Sequence, residues 1–189
     1  KEFEPRQLKL ILKDKKISLE SIEGNGGKGN SQNYCPNEKY RLDLTNESWY
    51  VFNDNYGTSE EKLFIKYFKT NIEPKLKEKN LEFYVIRNER ISKLAIYSFE
   101  AGERFEPDFL LFIRKKISNG NLTYQGYIEP KGNLLLNNDA WKEKFGMQIE
   151  KEHSIKGVFA DDYKIIGFPF FNNDNRMEEF ETAINTFID

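Results

Sequence analysis

Cysteine and histidine are almost missing from this chain of 189 residues, which contains only Cys35 and His153. A single cysteine forms no internal disulfide, which excludes the disulfide-stapled secreted domains and favours a reducing, cytoplasmic environment. One histidine excludes a Cys2His2 zinc finger, and the polar residues around it predict a solvated loop. Long apolar runs are also missing. The longest, Phe109 to Ile113, is far below the roughly 18 residues of a membrane span, so we expect no membrane partner.

An excess of charge of either sign is missing as well. The chain has 29 Lys and Arg residues against 31 Asp and Glu residues, a formal net charge of −2. This balance excludes nucleic-acid binding through overall positive charge, so any contact with phosphate must come from a local basic patch. Aromatic residues are abundant at 15%, too many for a disordered segment. The chain begins with Lys1 rather than Met, and we expect it to belong to a larger protein.

Apolar periodicity divides the chain into two parts. Alternating Leu8, Leu10 and Leu12 predict a β-hairpin, and we expect residues 1–54 to form a β-rich accessory or junction segment. Residues 55–189 show helical and strand-like patterns in turn, which predict an α/β domain with a mixed central sheet flanked by helices. Thr58 and Glu61 fit a capping box at the start of its first helix. The predicted strands are Leu81 to Arg87, Ile91 to Phe99, Asp108 to Lys116, Leu122 to Ile128 and Tyr163 to Phe171. Asn138 or Asp139 can cap a short helix through Trp141 and Phe145, and a terminal helix is predicted from Arg176 to Ile188.

Two of these strands are expected to form a hairpin that brings charged side chains together. Asn119-Gly120 is a strong hairpin-turn signal. With those two residues as the loop, Asp108 falls opposite Lys131, and Glu129 falls opposite Leu110. Opposed residues share a face, and so do Glu129 and Lys131, because strand side chains alternate. The pattern therefore predicts that Asp108, Glu129 and Lys131 converge at the open end of the hairpin.

Two carboxylates and a lysine in this arrangement suit metal-dependent phosphodiester hydrolysis. Mg²⁺ prefers hard oxygen ligands, which Asp108 and Glu129 supply, and the Pro130 carbonyl is a further candidate ligand. Mn²⁺ accepts the same ligands. A lysine beside the metal can orient the attacking water or stabilise developing negative charge. Glycoside hydrolysis by two carboxylates is a weaker alternative, because that chemistry has no particular use for Lys131.

These residues resemble the motif of the PD-(D/E)xK nuclease superfamily. The resemblance covers roughly residues 55 to 150 and is closest to the C-terminal endonuclease domain of the restriction subunit of type III restriction-modification enzymes, and to related helicase-nuclease proteins. Glu61-Lys62-Leu63-Phe64 matches the family's helix, Glu106-Pro107-Asp108-Phe109 its first motif strand, and Glu129-Pro130-Lys131-Gly132 its second. The sequence departs from the family pattern at Pro130, where a strand-forming residue is usual.

The resemblance implies a function and a set of roles. Asp108 and Glu129 would bind Mg²⁺ or Mn²⁺, Lys131 would act on the attacking water, and Glu61 or its neighbour Glu60 would support the metal from the helix. Double-stranded DNA would be the substrate. A modification (methyltransferase) subunit and an N-terminal helicase motor would be the partners in the parent protein, and ATP would act only through that motor.

Two questions remain open at this level. Arg114, Lys115 and Lys116 are candidates for contacts with the DNA backbone, although such runs are more often solvated faces. The alternative to an endonuclease is a catalytically inactive nuclease fold that serves as a DNA- or protein-binding scaffold.

Overall fold

The computed structural model describes residues 41–88, 96–97, 104–118, 120–156 and 163–188. The N-terminal hairpin predicted around Leu8 to Leu12 lies outside them. Within these ranges the strands are β1 (Arg41–Asp43), β2 (Asp54–Tyr56), β3 (Glu82–Arg87), β4 (Ile96–Tyr97), β5 (Arg104–Phe105), β6 (Phe109–Ile117), β7 (Gly120–Ile128) and β8 (Tyr163–Gly167). The helices are α1 (Ser59–Tyr67), α2 (Glu73–Glu78), α3 (Ala140–Lys156) and α4 (Met177–Ile188).

The main sheet has four strands in the order β3-β6-β7-β8. The first three are antiparallel to their neighbours, and β8 lies parallel to β7. A parallel partner requires a crossover, and α3 supplies it. β6 is central, and its residues Phe109–Ile113 are all buried, which explains why this stretch is a continuous apolar run rather than an alternating one. The predicted mixed α/β architecture with a mixed central sheet is confirmed.

The register between β6 and β7 differs by two residues from the predicted one. Ile117 pairs with Gly120, so Gly120 belongs to the strand rather than to the turn. Gly120 has a φ of +146°, a conformation that a residue with a side chain rarely adopts. Because the difference is an even number of residues, every side chain keeps its predicted face.

The first helix begins as predicted. The Thr58 side chain accepts a hydrogen bond from the Glu61 N–H, and the Glu61 carboxylate accepts one from the Thr58 N–H, which completes the capping box. A five-residue π-helix, Phe68–Ile72, joins α1 to α2. Pro74 lies in the first turn of α2, where its missing N–H leaves no helical hydrogen bond unmade.

Residues before 55 contribute to the main core. Trp49, Tyr50 and Phe52 are buried in the same apolar cluster as Phe64 and Phe109. The Val51 N–H donates to the Val85 carbonyl at 3.1 Å, and the Val85 N–H donates to the Trp49 carbonyl at 2.8 Å. This segment therefore lies along the outer edge of β3, and the packing is continuous across the predicted boundary at residue 54.

The crossover helix is longer than its apolar pattern indicated. α3 has 17 residues and includes His153, which was predicted to lie in a loop. Its inner face packs Phe145 and Ile149 against Phe105 and Ile165. Its first turn lies beside the end of β7 that carries Glu129, because Lys142 reaches that carboxylate.

Among the described residues, no helix is both long enough and apolar enough to cross a membrane.

Candidate functional site

Asp108 and Glu129 meet at the open end of the β6–β7 hairpin. Asp108 immediately precedes β6 and Glu129 immediately follows β7, so continuing the observed register by one residue places them opposite each other. The Asp108 N–H donates to Oε2 of Glu129 at 2.9 Å. Glu129 is buried, whereas Asp108 is only partly covered. The convergence of these two carboxylates expected from the sequence is therefore present.

Two lysines bind the same oxygen of Glu129. Nζ of Lys131 lies 3.0 Å from Oε1 of Glu129, and Nζ of Lys142 lies 3.2 Å from it. Both ammonium groups also contact Oδ2 of Asp139, at 2.6 Å from Lys131 and 3.1 Å from Lys142. The four side chains form a closed ring of alternating charge, which we call the ion ring: Glu129, Lys131, Asp139 and Lys142.

Half of the ion ring was missed in the sequence. Asp139 was expected only as a cap for α3, and Lys142 was given no role. The two are three residues apart in the first turn of the helix, a spacing that places both on one helical face. That spacing can be predicted from the sequence, but the approach of α3 to the end of β7 cannot.

The backbone of Lys131 is fixed on both sides. Its N–H donates to the Phe171 carbonyl at 2.9 Å, and its carbonyl accepts from Nδ2 of Asn172 at 2.8 Å. The Phe171 N–H in turn donates to the Glu129 carbonyl at 3.1 Å. The segment after β8 therefore continues the parallel pairing and holds Glu129 and Lys131 in place.

Pro130 is accommodated because its neighbour across the hairpin is also a proline. Continuing the register by two residues places Pro107 opposite Pro130. The hydrogen bonds to Phe171 come from Glu129 and Lys131, so alternation turns the Pro130 backbone towards Pro107. Neither proline has a backbone N–H, so no hydrogen-bond donor is left unpaired between them. For the same reason Pro107 donates no hydrogen bond to the Pro130 carbonyl.

Glu61 lies in a buried ion pair. Its Oε1 accepts from Nη2 of Arg87 at 2.9 Å, and both side chains are only 4% exposed. Nη1 of Arg87 donates to Oδ1 of Asn55 at 2.8 Å. The buried guanidinium of Arg87 therefore holds the Glu61 carboxylate in place.

Glu60 and Glu61 point to different sides of the helix start. An ideal Cβ on Gly132 would lie 3.3 Å from Oε1 of Glu60, so Glu60 lies beside the residue that follows Lys131. Glu61 is fully engaged by Arg87 and by the cap at Thr58. Of the two carboxylates, Glu60 is therefore the more accessible one, and it remains a candidate beside Glu61.

The charge around Asp108 is unbalanced. Burial and the neighbouring carboxylates of Glu129 and Glu61 raise the pKa of the Asp108 carboxyl well above its ordinary value, and Lys131 and Arg87 offset only part of this. None of the described residues donates a hydrogen bond to the Asp108 carboxylate. Such a carboxylate is stabilised by an added cation.

Lys131 and Asp139 stabilise each other's charge. Burial lowers the pKa of Lys131, but the charge of Glu129 and the hydrogen bond to Asp139 more than compensate and raise it above the ordinary lysine value. Burial raises the pKa of Asp139, but hydrogen bonds from Lys131 and Lys142 lower it below the ordinary value. Both groups are therefore charged at neutral pH.

The donor set fits a hard divalent cation. Asp108 and Glu129 present carboxylate oxygens, and Mg²⁺ is commonly held by one or two carboxylates with waters completing its shell. No group of three or more His, Cys, Asp or Glu side chains within the described ranges has a metal-binding arrangement. The side-chain ligands of a cation at this position would therefore be Asp108 and Glu129, with water or a backbone carbonyl completing its shell.

The basic residues Arg114, Lys115 and Lys116 lie at the other end of β6. They are exposed, and Arg114 is paired with Glu82 across to β3. At about 3.3 Å per strand residue, Arg114 is roughly 20 Å from Asp108. They are therefore not brought to the carboxylates, and any phosphate that they contact lies away from the site.

Comparison with known proteins identifies the family. No solved structure matches the chain. An uncharacterised protein of Haemophilus influenzae is 37% identical to it over 153 residues, which cover 76% of this chain and 32% of that protein. The chain thus spans about a third of the length of this relative. The profile of the family HI_1054_C, described as a C-terminal domain, matches residues 30–188, and the chain belongs to this family.

Proposed function

We propose that this domain is a metal-dependent endonuclease of the PD-(D/E)xK type that hydrolyses phosphodiester bonds in double-stranded DNA. The observation that carries the proposal is the convergence of Asp108, Glu129 and Lys131 at the open end of the hairpin. The order of elements also supports it: a helix carrying Glu61 precedes the strand after Asp108, and Glu129-Pro130-Lys131 follows the next strand. This agrees with the resemblance seen in the sequence and with a restriction-endonuclease-like fold.

Each residue has a role that its surroundings support. Asp108 and Glu129 bind Mg²⁺ or Mn²⁺, with the Pro130 carbonyl as a further ligand. The bound cation would polarise a phosphoryl oxygen and lower the pKa of a water molecule. Lys131, held charged by Glu129 and Asp139, orients the attacking water and stabilises the negative charge that develops on the phosphate.

The DNA duplex is held in this proposal by contacts at a distance from the cleavage site. Arg114, Lys115 and Lys116 are exposed and about 20 Å from Asp108 along β6. On a DNA strand with one phosphate per 3.4 Å or so, this corresponds to about six phosphates. We assign these residues to sequence-independent contacts with the DNA backbone.

The partners are proposed on the same resemblance. The segment matched in the Haemophilus protein is 32% of its length, which leaves room for further domains in that protein. We place an ATP-driven helicase motor in such a region, and we expect a modification (methyltransferase) subunit to bind the parent enzyme. The cytoplasm, where DNA and ATP are available, is the proposed location.

A second candidate, a nuclease fold that acts only as a scaffold, is favoured by one observation. Glu129, Lys131 and Glu61 all have ion-pair partners within the described residues, so each has a structural role without any metal. A scaffold of this kind binds DNA or protein but has no need of a divalent cation.

A cleavage assay separates the two candidates. Supercoiled plasmid is incubated with Mn²⁺ and the wild-type chain, Lys131→Met or the control Lys144→Met, which changes an exposed lysine of α3. We expect wild type and control to cut alike and Lys131→Met to be at least a hundredfold or so slower. Thermal unfolding of all three checks that the fold is retained.

The outcomes point in different directions. Cutting by Lys131→Met at the wild-type rate would remove Lys131 from the mechanism. A folded wild-type chain that neither binds Mn²⁺ nor cuts DNA would support the scaffold instead.

A further inference from the structure

The side chain of Lys142 is placed where a cation on Glu129 would need to be. Its Nζ lies 3.2 Å from Oε1 of Glu129, a carboxylate that is 5% exposed. The other oxygen, Oε2, accepts the Asp108 N–H. A metal ion on Glu129 therefore has to share or replace one of these contacts. Among the described residues that contact the Glu129 carboxylate, the two lysines do so through long side chains that can move without the backbone.

The two lysines are not equally able to leave. Lys131 is 11% exposed, its backbone is held by Phe171 and Asn172, and its contact with Asp139 is 2.6 Å. Lys142 is 20% exposed, and both of its contacts are longer, at 3.2 and 3.1 Å. Because its long flexible stem starts in the first turn of α3, it can turn outward without moving the backbone.

We infer that Lys142 is a tethered cation that occupies Glu129 in the metal-free protein and is displaced when a divalent cation binds. This inference rests on the proposed metal site and adds to it a residue that sets the metal affinity. Lys142 neutralises Glu129 in the absence of metal, and its release allows Glu129 to coordinate. Lys131 stays on Asp139 and remains in position for the reaction.

The displacement has a measurable consequence. A ligand that must first break a charge-assisted hydrogen bond binds more weakly than one that meets a vacant oxygen. Removing the Lys142 charge should therefore strengthen Mn²⁺ binding, by about tenfold for one such bond. Lys142→Arg keeps the charge and should leave the affinity close to that of the wild type.

The test is calorimetric titration of the 189-residue chain with Mn²⁺. The variants are Lys142→Met, Lys142→Arg, the control Lys144→Met and the site variant Asp108→Asn. Lys142→Gln is a second neutral variant in case Lys142→Met fails to fold. We expect binding that is lost in Asp108→Asn, unchanged in Lys144→Met and about tenfold tighter when Lys142 is neutral.

The possible failures are distinguishable. If wild type binds Mn²⁺ and Asp108→Asn does not, but the neutral Lys142 variants bind as wild type or more weakly, the displacement is refuted and the metal site stands. If neutralising Lys142 tightens binding equally in the Asp108→Asn background, the cation lies elsewhere and the inference also fails. If no variant binds Mn²⁺, both the metal site and the role of Lys142 are overturned.

Discussion

At the scale of single residues, Asp108 is a carboxylate whose charge its surroundings do not fully compensate. Its carboxylate lies beside Glu129 and Glu61, and the nearby cations are already engaged: Lys131 in the ion ring and Arg87 with Glu61. Residues that bind ligands are often held in such unfavourable states, and their replacement commonly stabilises a protein while it removes function. At Asp108, stability and the proposed metal binding would therefore oppose each other.

We predict that Asp108→Asn is more stable than wild type at pH 7 to 8, by about 1 kcal/mol. The pKa of Asp108 is raised in the folded chain above its ordinary value of 3.8, so the folded state binds this proton more tightly than the unfolded state. The free energy of unfolding of wild type therefore falls as pH rises between these two pKa values. Asn has no such dependence, so the advantage of the variant should disappear below about pH 4.

Denaturant unfolding of wild type and Asp108→Asn at several pH values measures this difference. Asp174→Asn, a change at an exposed aspartate, is the matched control. A variant that is less stable than wild type throughout would mean that Asp108 is held by favourable contacts rather than strained.

Gly57 shows how a small residue permits the buried ion pair. A Cβ at this position would lie 2.7 Å from Nη1 of Arg87 and would overlap Oε2 of Glu61. The guanidinium therefore reaches Glu61 only because residue 57 has no side chain. Gly57, which directly precedes the helix cap at Thr58, is therefore required for the contact between Arg87 and Glu61.

The sequence predicted the site residues that are close along two paired strands, and missed those brought in from elsewhere. The convergence of Asp108, Glu129 and Lys131 follows from the pairing of one hairpin and from the alternation of side chains along its strands. Lys142 and Asp139 depend on where the crossover helix α3 lands, and the partner of Glu61 depends on Arg87 being buried at the end of β3. Nothing in local periodicity specifies either of these packing arrangements.

At the scale of elements, α3 and β8 meet at two glycines, and of these only Gly167 has no room for a side chain. A Cβ on Gly167 would overlap the carbonyl group of Gly146 and lie 2.7 Å from the Met147 nitrogen. Oε2 of Glu150, one turn further along α3, accepts the Gly167 N–H at 3.0 Å. The helix and the strand therefore touch backbone to backbone.

We predict that Gly167→Ala lowers the free energy of unfolding by about 2 to 4 kcal/mol, because helix and strand must separate to admit the methyl group. The matched change Gly146→Ala should be neutral or stabilising by up to about 1 kcal/mol. Its Cβ would lie 3.6 Å from the Gly167 Cα, an ordinary contact, and alanine favours the helix. Denaturant unfolding measures both, and equal losses in the two variants would contradict this account.

Two helices, α1 and α4, were predicted more accurately than the strand register. Caps and apolar spacing placed the start of α1 and the extent of α4 to within a residue. The predicted Asn119-Gly120 turn misplaced the β6–β7 pairing by two residues, because the glycine is used inside the strand pair. An even displacement leaves the apolar pattern unchanged, so the pattern alone does not distinguish the two registers.

At the scale of the whole molecule, residues 41–54 are part of the folded unit. Trp49, Tyr50 and Phe52 belong to the main core, and the Tyr50 hydroxyl donates to Oδ1 of Asn55, which also accepts from Arg87. The chain of contacts therefore runs from this segment through Arg87 to Glu61. The candidate site and the segment are therefore connected by direct contacts.

We predict that a chain lacking residues 1–54 does not unfold cooperatively. Each large aromatic side chain removed from a core costs about 3 to 5 kcal/mol, and three of them approach the whole stability of a typical domain. Thermal unfolding followed by circular dichroism compares this shortened chain with the 189-residue chain. Trp49→Ala in the 189-residue chain should show part of the loss. An unchanged cooperative transition after the deletion would establish residues 55–189 as an independent domain.

The facing prolines at the end of the hairpin have a consequence for how the strands find their pairing. In the alternative pairing displaced by two residues, Pro130 would fall opposite Phe109 and interrupt the ladder where a donor is needed. In the observed pairing Pro107 lies opposite Pro130. The two residues without an N–H therefore interrupt the hydrogen bonds at one position of the ladder rather than at two. The two prolines therefore favour the observed register over the one displaced by two residues. Pro130 thereby helps to place Glu129, rather than Lys131, opposite Asp108.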